Sequence, residues 1–393
     1  MKYTIGELAD IIDGDRGKNY PQQHEFSEEG YCLFLNTGNV TSSGFSFESN
    51  QFISKEKCDM LRKGKLSRND IVYTTRGTVG NAAFYSESVP YEHVRINSGM
   101  VIIRPNEEIV STRLLYQILK SDYYRPYFKK YCTGSAQPQL PIKNFSKIEL
   151  DLPELANQQR IADILSAYDD LIENNQKQIK LLEEAAQRLY KEWFVDLRFP
   201  GYENTPITDG VPQGWKDGMI QDIVIYHDKK RKPLSGMQRA EMQGKYRYYG
   251  AASILDYVNN YLFDGTYLLL GEDGTVITED GYPILQYVTG KFWVNNHAHV
   301  LTGKMDYPTE YLYMMFKATK VRDVVTGVAQ PKISQARLSN KKTIIPSKEI
   351  VRNYCSIVSP MFKQILNLEH QIELHKEARD RLLPKLMSGE LEV

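Results

Sequence analysis

The chain has 393 residues, of which 41% are hydrophobic and 25% charged, and its 49 basic and 49 acidic residues give a formal net charge of zero. These values are ordinary for a soluble globular protein and allow about two to four domains. No apolar run is long enough to span a bilayer, no secretory signal is visible and the four cysteines are isolated, so we expect a reduced cytoplasmic protein without a zinc site.

Residues 1–153 are predicted to form a mixed α/β domain. Ile71–Thr75 and Met100–Ile103 are β-branched runs that lead into turn residues, which indicates strands. Thr112–Lys120 carries its leucines and isoleucine at helical spacing.

Residues 154–198 are predicted to form one long helix. Its apolar positions alternate in steps of four and three, which is the heptad pattern of a coiled coil, with one polar residue inside the seam. About 39 helical residues at ~1.5 Å each give a rod of roughly 58 Å. The predicted seam consists of Ile161, Leu165, Tyr168, Ile172, Asn175, Ile179 and Leu182.

Residues 199–346 return to short strands and turns, and residues 347–393 are predicted to form a second long helix and a tail. Ser347 is a suitable N-cap, and Pro384 is expected to kink or end the helix. The second seam consists of Val358, Met361, Ile365, Leu368 and Ile372.

The two halves repeat one another. Thr133–Pro138 returns as Thr326–Pro331, and the shift of 193 residues then holds without a gap, so that Pro153 falls on Pro346. A repeat of this length indicates two copies of one folded unit. The predicted class is therefore α+β, with two similar mixed α/β domains separated by two long helices.

If the second helix packs its seam on the first, the two helices form an antiparallel coiled coil with an approximate two-fold axis. A rod of roughly 58 Å exceeds one turn of B-DNA, which is ~34–36 Å. The predicted molecule resembles a caliper that touches its partner at two places. The main alternative is a coiled-coil structural adaptor whose domains bind only proteins.

Several motifs, in order along this repeat, give the chain a family resemblance. They are the doubled Thr133–Pro138 and Thr326–Pro331, Gln158–Ala162, Leu189–Phe194, Phe199–Gly201, Val211–Trp215 and Leu382–Gly389. Over its full length the chain resembles the DNA-specificity (S) subunit of a type I restriction–modification enzyme. Val351–Asn353 departs from the Gln-Gln-Arg that opens the first helix.

The resemblance implies two target-recognition domains, each of which reads one half of a split sequence in double-stranded DNA. It also implies assembly with two methyltransferase subunits and, for cleavage, with restriction subunits. The chain has no Asn-Pro-Pro-Tyr segment, no glycine-rich nucleotide loop and no evident Ser/Cys–His pair. We therefore expect no catalytic residue, no cofactor and no metal ion, although an unrecognised enzyme is a second alternative.

In the first domain, the DNA contacts are predicted in polar loops next to strands. Hydroxyls and an arginine there can meet phosphates, and arginine can bind a guanine edge with two hydrogen bonds. Each loop can instead be only a turn. The candidates are Asn36, Thr37, Thr74, Thr75, Arg76, Thr78, Asn97 and Gln137.

In the second domain, two acids stand where the first has threonines, so the two domains should read different bases. A magnesium site on the acids, a metal site on two histidines that share a strand face, and a merely solvated basic run remain alternatives. The candidates are Lys230, Arg231, Tyr248, Tyr249, Glu272, Asp273, Thr275, His297, His299, Gln330 and Lys332.

Overall fold

A computed structural model describes residues 1–134, 137–304, 306–327 and 330–393. Ser135, Ala136, Val328 and Ala329 of the repeated segments lie outside the described residues. The chain divides into two compact units. Unit 1 comprises Met1–Asn174 with Gln371–Val393, and unit 2 comprises Asn175–His370.

Unit 1 contains a four-stranded antiparallel sheet in the order Ala9–Asp13, Met100–Pro105, Ile71–Thr74, Ala82–Phe84. A three-stranded sheet has the order Phe52–Ile53, Cys32–Leu35, Val94–Ile96, and its last two strands are parallel. Two further pairs are Lys2–Thr4 with Glu149–Asp151 and Val40–Thr41 with Gly44–Phe45. The short helices are Ile5–Leu8, Gln23–Glu25, Thr37–Asn39, Lys55–Met60, Thr112–Lys120, Arg125–Lys129 and Ile142–Phe145.

Unit 2 repeats the order of the main sheet and adds one strand to the second sheet. Its antiparallel sheet has the order Val224–Tyr226, Ala298–Gly303, Tyr267–Gly271, Leu285–Val288. Its second sheet has the order Ile254–Val258, Gln243–Tyr249, Lys291–Val294, Phe263–Asp264, with the middle two strands parallel. The remaining pairs are Lys216–Met219 with Lys342–Ile345, Ile207–Thr208 with Val211–Pro212, and Val325–Thr326 with Lys332–Ile333. The short helices are Tyr202–Asn204, Ile220–Asp222, Asp228–Lys230, Gly236–Glu241, Thr309–Lys317, Arg322–Val324 and Gln335–Ser339.

In each unit one helix covers the four-stranded sheet, and in unit 1 this helix is Thr112–Lys120. Leu114, Leu115, Ile118 and Leu119 are 0–1% exposed and join the core of the four-stranded sheet. Thr309–Lys317 covers the matched sheet of unit 2, and both helices have 9 residues. The predicted pair of similar mixed α/β units is confirmed.

The long helices are Leu155–Tyr190, followed by a π-helical turn at Lys191–Val195, and Lys348–Ser388, which continues past Pro384. Among the described residues, neither these nor any other helix has the length and apolar character that a bilayer crossing requires.

In unit 1 the segments of the two long helices run antiparallel. Ile161 and Leu165 of the first helix share a core with Leu383 and Leu386 of the second. Further along the first helix, the carboxylate of Asp169 accepts from Arg379, which lies before Leu383 on the second helix. In unit 2 the hydroxyl of Tyr354 donates to the carbonyl of Ala186 at 3.0 Å. Of the two predicted seams, the buried members are Ile161, Leu165, Ile172, Asn175, Val358, Ile365, Leu368 and Ile372, and the partly buried members are Tyr168, Ile179, Leu182 and Met361.

Candidate nucleic-acid interface

The predicted polar segments that contain Thr37, Arg76 and Asn97 meet at one end of the sheets of unit 1. The backbone N–H groups of Thr75 and Arg76 donate to the carbonyl of Gly99 at 2.9 and 3.1 Å, and the N–H of Asn97 donates to Leu35 at 2.9 Å. A Cβ on Gly99 would lie only 2.7 Å from the Cγ2 of Thr37, so that loop is also in close contact. The structure thus brings together residues that lie far apart in the sequence.

The repeated segment before the first long helix joins the same cluster. Leu140 N donates to Thr75 O at 2.9 Å, while Thr133 and Gln139 exchange a pair of backbone hydrogen bonds. Gln137, between them in sequence, is exposed. Gln137 therefore belongs to a loop that is attached directly to the predicted recognition loop.

The prediction that the side chains of Thr74 and Thr75 contact DNA needs correction, because both side chains are buried. Their side chains are 0% and 5% exposed. The hydroxyl of Thr74 accepts from Asn81 N at 2.9 Å and donates to the carbonyl of Thr78, and the hydroxyl of Thr75 donates to Gly99 O at 3.2 Å. These hydroxyls close the loop and cannot meet a duplex.

Four other side chains around this loop remain accessible. Arg76 is partly exposed and Thr78 is exposed. The amide oxygens of Asn36 and Asn97 accept from the N–H groups two residues further on, at 2.8 and 2.9 Å. Among the residues that the structure describes, the amide nitrogens of these two asparagines have no partner and remain available as donors.

Unit 2 repeats the backbone pattern with other side chains. Glu272 N donates to His297 O at 2.8 Å, and Ile333 N donates to Glu272 O at 2.8 Å. These bonds correspond to those that Thr75 makes with Gly99 and with Leu140 in unit 1. The scaffold of the loop is therefore common to both units.

Behind this loop, unit 2 has a buried network of charges. Arg231 lies 2.6 Å from Glu272, which Lys332 also approaches at 3.3 Å. His299 is 1% exposed, with its Nδ1 2.6 Å from Asp228 and its Nε2 2.8 Å from the carbonyl of Ile333. Because a carbonyl only accepts, Nε2 carries a proton.

The pKa of Asp228 shows how this network is balanced. Burial alone would raise the pKa of Asp228, but the hydrogen bond and charge of His299, the N–H of Val300 and the charge of Arg231 together lower it. Asp228, Glu272 and His299 have ligand atoms within 4.8 Å of one another. The guanidinium of Arg231 lies 3.5 Å from Asp228 and 2.6 Å from Glu272, so the arrangement fits an internal ion-pair network better than a metal site.

The network and its neighbours correct further predictions for unit 2. His297 and His299 do not share a strand face, because Asn295 accepts from the N–H of His297 and holds it in the turn before the strand Ala298–Gly303. Tyr248 and Tyr249 are 1% and 6% exposed. The Tyr248 hydroxyl accepts from Leu234 N at 2.9 Å, which fixes it in the interior.

The accessible candidates of unit 2 form a smaller set than the predicted one. His297 is exposed and bonded to Asp273, which lies in the loop after Tyr267–Gly271. Arg231 pairs with Glu272 inside the buried network and its side chain is only 13% exposed, whereas the neighbouring Lys230 is exposed. The exposed candidates are Lys230, Thr275, His297, Gln330 and Lys332.

Sequence reasoning missed Asp228, the acid that holds the network together. It stands immediately before the basic run and looks like a solvated charge, and only the fold brings His299 to it from 71 residues away. It also missed Gly99, whose carbonyl anchors the loop of unit 1.

The sequence matches a known protein family and several known proteins. A family model described as the type I restriction modification DNA specificity domain matches residues 1–184 and 212–375. The chain is 29% identical to the type I restriction enzyme MjaIX specificity subunit of Methanocaldococcus jannaschii over 344 residues, which cover 83% of this chain and 78% of that protein. It is 29% identical to the HindI specificity subunit of Haemophilus influenzae over 202 residues, or 50% of this chain and 43% of that one.

A solved structure has a similar fold. The crystal structure of a type I restriction-modification system S subunit from M. genitalium aligns with a TM-score of 0.54 at 16% identity, covering 98% of this chain and 96% of that one.

Proposed function

The chain belongs to the family of type I restriction–modification DNA specificity proteins, and from this premise we propose that it reads a bipartite DNA target, one half with each unit. Such a subunit recognises DNA sequence and is not itself an enzyme, since other subunits carry out the chemistry. The finer proposal concerns how recognition is divided along this chain.

The observation that carries the proposal is the repeated loop scaffold with different exposed side chains. Both units use the same backbone hydrogen bonds to hold a loop after the third strand of the main sheet. Unit 1 presents Arg76 there, whereas unit 2 has Asp273 at the matching position, bonded to the exposed His297 of a neighbouring turn. Similar scaffolds with different donors and acceptors are suited to two different half-targets.

Within this proposal the accessible residues divide into two roles. Arg76, with five donors, is suited to a guanine edge, and Asn36 and Asn97 are suited to adenine. Lys230 and Lys332 are suited to phosphates, where they would set position and salt dependence. The other contacts in the proposal are Thr37, Thr78, Gln137, Asp273, Thr275, His297 and Gln330.

The long helices are proposed as the spacer between the half-targets. At ~1.5 Å per residue, the helices Leu155–Tyr190 and Lys348–Ser388 are roughly 54 and 62 Å long, against ~34–36 Å for one turn of B-DNA. A spacer of this length predicts that neither unit reads the bases in the middle of the DNA target.

Two methyltransferase subunits are the proposed direct partners, and restriction subunits join through them. The long helices expose isoleucines and leucines at positions that the repeat matches: Ile164 and Ile357 are 38% and 43% exposed, and Leu181 and Leu374 are 64% and 49% exposed. Large apolar side chains exposed on a helix are suited to a partner protein, and their duplication is suited to two copies of one partner.

The test is to map the methylated bases in cells that carry this subunit with its methyltransferase partner. The expected target has two short specified parts separated by unspecified bases. One continuous short target would contradict the bipartite proposal. A structural adaptor that binds only proteins would give no sequence-dependent, salt-sensitive DNA affinity in the assembled complex.

A further inference from the structure

A groove in unit 1 lies where the start of the first long helix meets the end of the second. Its volume is about 760 Å³. Tyr123 and Leu391 at this groove are 58% and 39% exposed, so apolar surface is open to solvent. The lining includes Tyr123, Tyr124, Leu152, Ile161, Leu386 and Met387.

The repeat identifies the matched place in unit 2. The shift of 193 residues carries Ile161 to Tyr354, and it places Trp193 and Phe194 where unit 1 has Leu386 and Met387. Tyr354 and Trp193 are in contact, with ring centroids 5.9 Å apart. The two places thus have matched walls.

In unit 2 this place is filled by two aromatic side chains. The ring of Phe194 lies 5.8 Å from Trp215, which lies 5.0 Å from Phe199. Trp215 and Phe199 are only 8% and 3% exposed. Both belong to the polypeptide segment between the first long helix and the strand Lys216–Met219.

We propose that the groove of unit 1 binds a polypeptide segment of a methyltransferase subunit that inserts an aromatic side chain against Met387. The identity of the partner rests on the proposed function, whereas the aromatic occupant rests on the matched place in unit 2. Methionine is unbranched and adaptable, and contact between its sulfur and an aromatic ring is favourable. A buried aromatic anchor surrounded by polar groups is typical of protein interfaces.

The charge of the groove favours protein over nucleic acid. Among the described residues its lining contains the acids Asp151 and Glu392 and neither lysine nor arginine, and the terminal ammonium of Met1 is paired with Asp151 at 2.9 Å. Such a lining offers no unpaired cation, among the residues described, to a phosphate backbone. The groove is therefore a protein-docking surface and is separate from the accessible residues proposed to contact DNA.

The experiment compares binding of the purified methyltransferase subunit to the full-length chain and to three variants. Met387→Glu places a charge in the groove, and Tyr123→Ser removes exposed apolar surface with little effect on folding. Met60→Glu is the matched control, because Met60 is 56% exposed in unit 1 and does not line the groove. Circular dichroism would verify the fold of each.

We expect each groove variant to lose one of two bound methyltransferase copies, with affinity for that copy reduced at least about tenfold, and the control to bind as the original chain does. Groove variants that retain both copies at the original affinity would overturn the inference while leaving the proposed function intact. If the original chain bound no methyltransferase subunit at all, both would fail. A photoreactive residue at position 123 should crosslink to the methyltransferase subunit. A crosslinked product that lacks the methyltransferase subunit would also contradict the inference.

Discussion

Replacing Asp169 by asparagine should strongly destabilise unit 1. The carboxylate of Asp169 lies in the interface of the two long helices and of Thr112–Lys120, and it accepts from Arg379 at 2.8 Å and from Lys120 and Gln117. Burial raises the pKa of Asp169, but the charge and hydrogen bond of Lys120 and the bonds from Arg379 and Gln117 outweigh burial and lower it. The Lys120 side chain is only 10% exposed, and this burial lowers the pKa of Lys120 to about 8.

The magnitude follows from what Asp169→Asn leaves behind. Two largely buried cations lose their shared anion, although Arg379 keeps its pair with Asp380 at 2.9 Å. Breaking a buried ion pair from one side costs about 3–5 kcal/mol, and the lower end of that range is expected. Asp59→Asn is the matched control, because Asp59 is paired with Lys55 at 2.7 Å but both side chains are more than half exposed. An exposed pair of this kind is screened by water and contributes little to stability.

The pH dependence has a definite sign. Because the pKa of Asp169 is lower in the folded chain, its contribution is fully present above the ordinary value of about 3.9 and is lost as pH falls through the folded-state pKa. The difference in stability between the original chain and the variant should therefore be largest near neutral pH and shrink below about pH 4.

Hydrogen exchange of the amides in Thr112–Lys120 under increasing urea measures the local free energy of opening, which is needed because a chain of two units need not unfold in one step. A loss for Asp169→Asn that is no larger than the loss for Asp59→Asn would refute the reasoning.

Three further changes test the two units separately. In the assembled complex, Arg76→Ala should relax base preference at one position of a single half-target, at a cost of about 1–3 kcal/mol, as read by methylation of a target library. Lys230→Ala should weaken binding to all sequences alike and reduce the slope of log affinity against log salt by about one, measured by titration at several salt concentrations; a base-specific effect would contradict it. His299→Asn should destabilise unit 2 by about 1–3 kcal/mol, because the buried Asp228 loses a hydrogen-bond partner while Arg231 stays beside both acids. Urea unfolding followed by tryptophan fluorescence measures this loss, and an unchanged midpoint would contradict it.

The regular parts of the fold could be predicted because their signals are local. The long helices appear as uninterrupted heptad spacing, and Thr112–Lys120 was predicted with both its ends as observed. The strand Ile71–Thr74 and the loop after it follow from a β-branched run that ends in turn residues.

The interior of the candidate interface could not be predicted, because its partners are distant in sequence. Whether Thr74 faces solvent depends on Asn81 and Thr78 across a loop, and whether His299 is a contact or a structural residue depends on Asp228 and Ile333. A polar residue type in a loop indicates only that hydrogen bonds are needed, and the fold decides whether protein or DNA supplies them.

This division between buried and exposed polar groups also explains how one scaffold can serve two half-targets. The hydrogen bonds that hold each recognition loop are made by backbone groups, which any residue supplies, such as Thr75 N in unit 1 and Glu272 N in unit 2. The buried side chains behind them differ, a pair of hydroxyls in one unit and an ion-pair network in the other, yet both leave the loop backbone in the same bonding pattern. Accessible side chains at matching positions, such as Arg76 and Asp273, can therefore change without loss of the loop, so that base preference can vary between the units while the hydrogen bonds of the loop stay the same.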